Sequence, residues 1–178
     1  MTGPVKLNVG CGSDYREGWI NIDGNAKLAR VDLVLDLPRQ SLREHFGPAS
    51  PAARYADHLL ACDFIEHHTH WEAVGLLKDF LAVLAPGGTL ELRLPDFEAI
   101  INDTRLTSHQ KIMQLFGGQD VPQGEADTSN RRTYPQYFCH KYAYTRDSMA
   151  EELRRIGFTE ILARPAGANM IVTAKKPG

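Results

Sequence analysis

Residues Leu7 to Asp23 read LNVGCGSDYREGWINID: an apolar run, a Gly10-Cys11-Gly12 turn, a polar stretch and a second apolar run that closes on an acid. The run from Val5 to Val9 has the composition of a buried strand, and glycines at its carboxyl end let the backbone approach a ligand where a Cβ would collide. Asp23 ends the following run, where a carboxylate can take both hydroxyls of a ribose. The stretch therefore reads as a nucleoside site. A dinucleotide fingerprint needs a third glycine, so that helix and strand pack closely around a pyrophosphate, and this chain has Tyr15 at that position.

Composition sets the limits of the reading. The chain has 178 residues, 43% hydrophobic and 24% charged, which suits one compact domain with its own core. A formal net charge of -2 offers no broad attraction to a phosphate backbone, so no nucleic-acid partner is expected and a small acceptor fits better. Cys11, Cys62 and Cys139 are too few and too widely spaced for a disulfide framework or a zinc knuckle, and read as reduced thiols of a cytoplasmic protein. No apolar stretch approaches membrane-spanning length, and the first ten residues lack the pattern of a signal peptide.

Short apolar runs recur at Val5 to Val9, Trp19 to Asp23, Val31 to Asp36, His58 to Cys62 and Thr89 to Leu94, each followed by a turn signal or a helical stretch. This alternation predicts a parallel sheet with helices on both faces. The strongest helix spans Trp71 to Leu84, with Val74, Leu77, Leu81 and Leu84 on one face, Thr69 and Glu72 as a capping box, and Pro86-Gly87-Gly88 beyond its end. A second helix spans Arg146 to Ile156 between Thr145 and Gly157. Glu160 to Arg164 and Asn169 to Ala174 read as a closing hairpin.

Two segments depart from the pattern. Only Ser13 to Trp19 separate the glycine turn from the second strand, fewer than a parallel crossover with a full helix needs, so the first helix is expected to shrink to about one turn between Ser13 and Gly18. Residues Gly117 to Tyr137 are dense in Gly, Pro, Asn and Asp and read as a lid that includes Arg131 and Arg132, part of a substrate-binding insertion at about 102–144.

Further segments carry a resemblance. VLDLP puts Asp36 and Leu37 at the end of the third strand, ACDFIEHH spans Ala61 to His68, LAPGG spans Leu84 to Gly88, and LPD closes the fifth strand at Asp96. With the GCG loop, these segments resemble class I S-adenosylmethionine-dependent methyltransferases, and are most similar to small bacterial ones that carry GCG...GWINID and FGGQ...HKYAYT, often associated with polysaccharide or secondary-metabolite enzymes. The resemblance implies a single Rossmann-like methyltransferase domain: a mostly parallel seven-stranded sheet with one antiparallel strand and an abbreviated first helix. It implies S-adenosylmethionine held by Asn8, Gly10, Cys11, Gly12, Tyr15, Asp23, Asp36, Leu37, Cys62 and Asp63. Asp36 would meet the adenine amino group and Leu37 would flank the ring, while Tyr15 would cover the methionine or ribose part. The implied reaction is methyl transfer to a small-molecule or glycan acceptor, at oxygen. A nicotinamide-dependent oxidoreductase and a non-catalytic S-adenosylmethionine-binding module are the alternative readings.

His140, in the FCHKYAYT segment, is the candidate base by pKa and location, with Asp96 second. Asp63, Glu66 and His67 lie at i, i+3 and i+4, a spacing that can converge on a divalent metal, with His140 as a further ligand. The reading without a metal, with His140 as base, is taken as the expectation. His68 and His70 read as solvated or capping groups and Trp19 as a core plug.

Overall fold

The computed structural model describes residues 3–37, 39–47, 54–119 and 134–178. Seven strands form one sheet in the order β3-β2-β1-β4-β5-β7-β6: β1 is Lys6–Val9, β2 Ile20–Asp23, β3 Leu33–Val34, β4 Ala56–Cys62, β5 Leu84–Pro95, β6 Thr159–Ala166 and β7 Asn169–Lys175. Strands β1 to β5 pair in parallel, and β7 runs antiparallel to both neighbours. The expected hairpin thus forms the sheet edge, with its second strand inserted beside β5. From β1 the chain moves outward to β2 and β3, then crosses back to lay β4 on the other side of β1. Such a reversal opens a crevice at the carboxyl ends of the strands, where ligands bind in this class of sheet.

Helix α1, His70–Val83, starts at the Thr69–Glu72 capping box. The described residues contain two helices that the sequence reading did not assign: α2, Phe97–Asn102, capped by Asp96, and α3, Ser108–Leu115, with a Thr107–Gln110 capping box. Helix α4, Arg146–Ile156, begins at Thr145 and ends at Gly157, which takes φ 115°. The buried face of α1 is Ala73, Leu76, Leu77, Phe80 and Val83, rotated from the expected stripe so that Val74 and Leu81 are only half-buried.

Alternation on the strands shows where the core lies. Leu90, Leu92 and Leu94 on β5 and Met170, Val172 and Ala174 on β7 are buried and join the residues of α1 and α4 in one apolar cluster. On the opposite face Glu91, Ile171, Thr173 and Lys175 are half-buried and Arg93 is exposed. Helices on both faces are therefore not what the described residues form. The physical reason is chain length: the connections from β1 to β2 and from β2 to β3 contain turns only. The expected single helical turn after Gly12 is absent too. Trp19 lies half-buried on this face, with its ring 5.1 Å from that of His58 and Lys6 Nζ 5.6 Å from its centre, and is no core plug. Strand β3 is limited to two residues, and Asp32, expected inside it, accepts from the Asn21 amide through its carboxylate at 2.8 Å.

Candidate active site

The glycine loop is built without a helix, and asparagines replace it. Asn8 and Asn21 occupy paired positions on β1 and β2, both buried. Asn8 Nδ2 donates to Asn21 Oδ1 at 3.0 Å and to the Asp14 carbonyl at 2.7 Å. Asn21 Oδ1 also accepts from the Arg16 amide, while Asn21 Nδ2 donates to the Arg16 carbonyl and to Asp32. This network satisfies backbone groups that a helix would satisfy internally, and it folds residues 13–16 against the strand ends. A polar residue between Ile20 and Ile22 was the signal for it, and the sequence reading did not use that signal.

Asp23 holds the loop from the other side. Its Oδ2 accepts from the Gly12 amide at 2.9 Å and its Oδ1 from the Asn25 amide at 2.8 Å. Gly12 takes φ +50°, and a Cβ added there would meet nothing within 4 Å. Its backbone shape needs glycine, and the space beside it is open. Gly10 differs: a Cβ there would lie 2.3 Å from the Phe64 ring. Asn8, Gly10, Cys11, Gly12, Cys62 and Asp63, all expected at the site, line one cleft of about 420 Å³ together with Ser13, Asp14, Arg16 and Arg93. Asp63, at the tip of β4, has φ 47°, a left-handed conformation that Asp adopts more readily than most residues. Burial pushes the Cys11 thiol up to about 11, with Asp23 and Asp32 adding to the shift.

The remaining expected cofactor residues lie apart from this cleft. Tyr15 donates its hydroxyl to Asp32 at 2.9 Å and lies under the Arg30 guanidinium at 3.7 Å, so it is tied to the loop before β3. Asp36 is exposed beyond β3 and pairs with Arg39 at 2.8 Å. Leu37 is part of the apolar core. Asp96 is fully buried: Oδ1 caps α2 through the amides of Glu98 and Ala99, and Oδ2 pairs with Arg146 at 2.8 Å. Those contacts give Asp96 a structural task.

A second polar group lies beyond β4. Glu66 and His67 sit in the 3₁₀ turn Ile65–His67, and the segment around His140 is laid against it by bonds from the Lys141 amide to the Glu66 carbonyl at 2.7 Å and from His67 Nδ1 to the Cys139 carbonyl at 3.1 Å. The ligand atoms of Glu66, His67 and His140 all lie within 4.8 Å of one another. Glu66 is 2% exposed, and neither of its carboxylate oxygens has a hydrogen-bond partner among the described residues. Burial pushes its carboxyl up to about 8, against the weaker pull of nearby amides. Burial likewise lowers His67 to about 4, with His140 adding to the shift. Gly117 makes the arrangement possible, since a Cβ there would lie 1.9 Å from the Phe138 carbonyl and 3.1 Å from the His140 ring. Asp63, expected with Glu66 and His67, belongs to the glycine-loop cleft instead. His68 is buried against Phe64, with Nδ1 at 3.0 Å from that residue's carbonyl, and its backbone amide caps the end of the 3₁₀ turn at the Ile65 carbonyl, so it caps but is not solvated. The lid expected at 117–137, with Arg131 and Arg132, lies largely outside the described residues. No helix among the described residues is long and apolar enough to cross a membrane.

No protein-family profile matches the chain, and no curated protein is similar to it. Solved structures are similar in fold. A methyltransferase dependent on S-adenosylmethionine from Archaeoglobus fulgidus superposes with a TM-score of 0.61 at 13% identity, covering 98% of this chain and 87% of that one. Human N-acetylserotonin methyltransferase, solved in complex with S-adenosylmethionine, gives 0.55 at 12% identity over 98% of this chain and 48% of that one. A possible exported protein from Bordetella parapertussis gives 0.60 at 17% identity over 99% of this chain and 62% of that one. The chain thus spans less than two thirds of the Bordetella structure and about half of the human one. The shared feature is the Rossmann-like α/β fold of these methyltransferases.

Proposed function

We propose that the chain transfers a methyl group from S-adenosylmethionine to a hydroxyl oxygen of a small-molecule or glycan acceptor. The observation that carries this reading is the cleft of about 420 Å³ at the carboxyl ends of β1 and β4, where Asp23 already holds the Gly12 amide. Its volume suits a small-molecule ligand. Each Asp23 oxygen takes one amide and retains capacity to accept from a ribose hydroxyl. Arg16 and Arg93 bring positive charge to the same cleft, which fits a methionine carboxylate. Asp36, exposed beyond β3, pairs with Arg39 through Oδ2, which leaves its Oδ1 for an adenine amino group. When bound, S-adenosylmethionine supplies a sulfonium methyl, an electrophile open to displacement by an acceptor lone pair. A dinucleotide fits less well, because residues 11–19 form turns and present no helix amino terminus to a pyrophosphate.

On this reading the acceptor side is the Glu66, His67 and His140 group, with residues 102–144 as its binding insertion. Loss of the acceptor proton belongs to that group. Orientation of acceptor against methyl contributes most, on the order of 7 to 11 kcal/mol, and help with the proton a further 10² to 10⁴-fold or so. The test is a panel of hydroxyl-bearing acceptors, monosaccharides, nucleotide sugars and glycan fragments, incubated with S-adenosylmethionine and read by mass for one added methyl. A methylated product sensitive to Asp23→Ala supports the reading. Saturable cofactor binding with no product across the panel points to a binding module.

A further inference from the structure

We infer that Glu66, His67 and His140 form a binding site for one first-row transition-metal ion of the Zn²⁺ or Fe²⁺ type. Three different kinds of observation converge on this. The first is the donor set: two imidazoles and one carboxylate whose ligand atoms lie within 4.8 Å of one another, the mixed nitrogen and oxygen composition that such ions take with positions left open. The second is Glu66, 2% exposed with both oxygens unpartnered among the described residues. A buried carboxylate in that condition takes up either a proton or a cation, and a cation held with the two imidazoles gives its oxygens the partner they lack. The third is the His67 ring. A carbonyl only accepts, so Nδ1 carries the proton in the 3.1 Å contact with Cys139, and the other ring nitrogen carries the lone pair. Histidine ligands are held in this way, by donation of the second ring N–H to a carbonyl or carboxylate.

Bonds of about 2.1 Å put two ligand atoms of a tetrahedral ion about 3.4 Å apart, so the trio closes on an ion through side-chain rotation of about an ångström. Two imidazoles favour a transition ion over Mg²⁺, which prefers oxygen and keeps its waters. An ion held by three protein groups keeps a position for substrate, and as a Lewis acid it lowers the pKa of a bound hydroxyl. This role rests on the proposed methyl transfer; the binding of the ion does not.

The experiment therefore uses the full chain without cofactor or acceptor. Protein stripped with chelator is titrated calorimetrically with Zn²⁺ alone, and melting curves verify that each variant is folded. One ion per chain is expected, with affinity reduced at least tenfold by Glu66→Gln and by His140→Asn and unchanged by His45→Gln, at an exposed position outside the insertion. X-ray absorption of the Zn²⁺-loaded wild type supplies a measurement independent of the variants, and two imidazoles in the first shell are expected. Absence of saturable binding, affinity indifferent to both substitutions, or a shell with fewer than two imidazoles overturns the proposal. A separate titration with S-adenosylhomocysteine separates the two readings. If Zn²⁺ binds and the nucleoside does not, the metal site stands and methyl transfer falls; the reverse result removes the metal alone.

Discussion

Asp23 does two tasks with one carboxylate. It fixes Gly12 through the amide and remains able to accept from a ribose, so its loss affects both loop shape and ligand contact. Hydrogen bonds to charged groups are worth about 1.5 to 3 kcal/mol, or roughly ten- to a hundredfold in affinity. Asp23→Ala is expected to weaken S-adenosylhomocysteine by that much in a calorimetric titration. Asp36→Ala is expected to weaken it less, because Asp36 is exposed and already paired with Arg39. Cys11 provides a pH test. With its thiol raised to about 11, the thiolate at pH 8 is about one part in a thousand, so alkylation is expected to be slow there and to rise about tenfold per pH unit toward pH 10. Peptide mapping after iodoacetamide treatment at several pH values reads this directly, and fast modification of Cys11 at pH 8 contradicts it.

At the scale of elements, what the sequence revealed depended on whether the determinants were local. Thr69 with Glu72 and Thr145 with Gly157 are punctuation read within a few residues, and both helices begin where these signals put them. Helices α2 and α3 carry similar signals at Asp96 and at Thr107 with Gln110, but their short lengths blunt the periodicity. The face of α1 was misplaced because the sheet and α4 decide which stripe is buried. The Glu66, His67 and His140 group was visible only in part, since bonds between residues 72 positions apart bring its halves together. Gly117 is the joint. A left-handed conformation costs a non-glycine residue roughly 1 to 2 kcal/mol, and Gly117→Ala must also displace the Phe138 carbonyl. The expected outcome is a fall in melting temperature of at least about 3 °C, with Zn²⁺ affinity reduced although no ligand is changed. An unaltered melting temperature would mean that the 138–140 segment is not held by this contact.

At the scale of the molecule, parallel pairing followed from the alternation of apolar runs and the ligand site from the glycine turn that ends the first of them, whereas the strand order is set by contacts between distant segments. The lack of helices in the first two crossovers among the described residues did not follow, because the alternation rule assumes that each crossover is long enough to hold a helix. Here the first two crossovers hold turns, and Asn8, Asn21 and Asp32 supply by side-chain hydrogen bonds what a helix amino terminus would supply by backbone amides. The same shortening separates the two nucleotide readings, because a pyrophosphate gains most from the amides that are missing. Binding of S-adenosylhomocysteine and of NAD to the same preparation is therefore the most direct test of the central claim. Saturable one-to-one binding of S-adenosylhomocysteine, weakened by Asp23→Ala, with no comparable binding of NAD is the expected result; tighter binding of NAD, or no binding of S-adenosylhomocysteine, would contradict it.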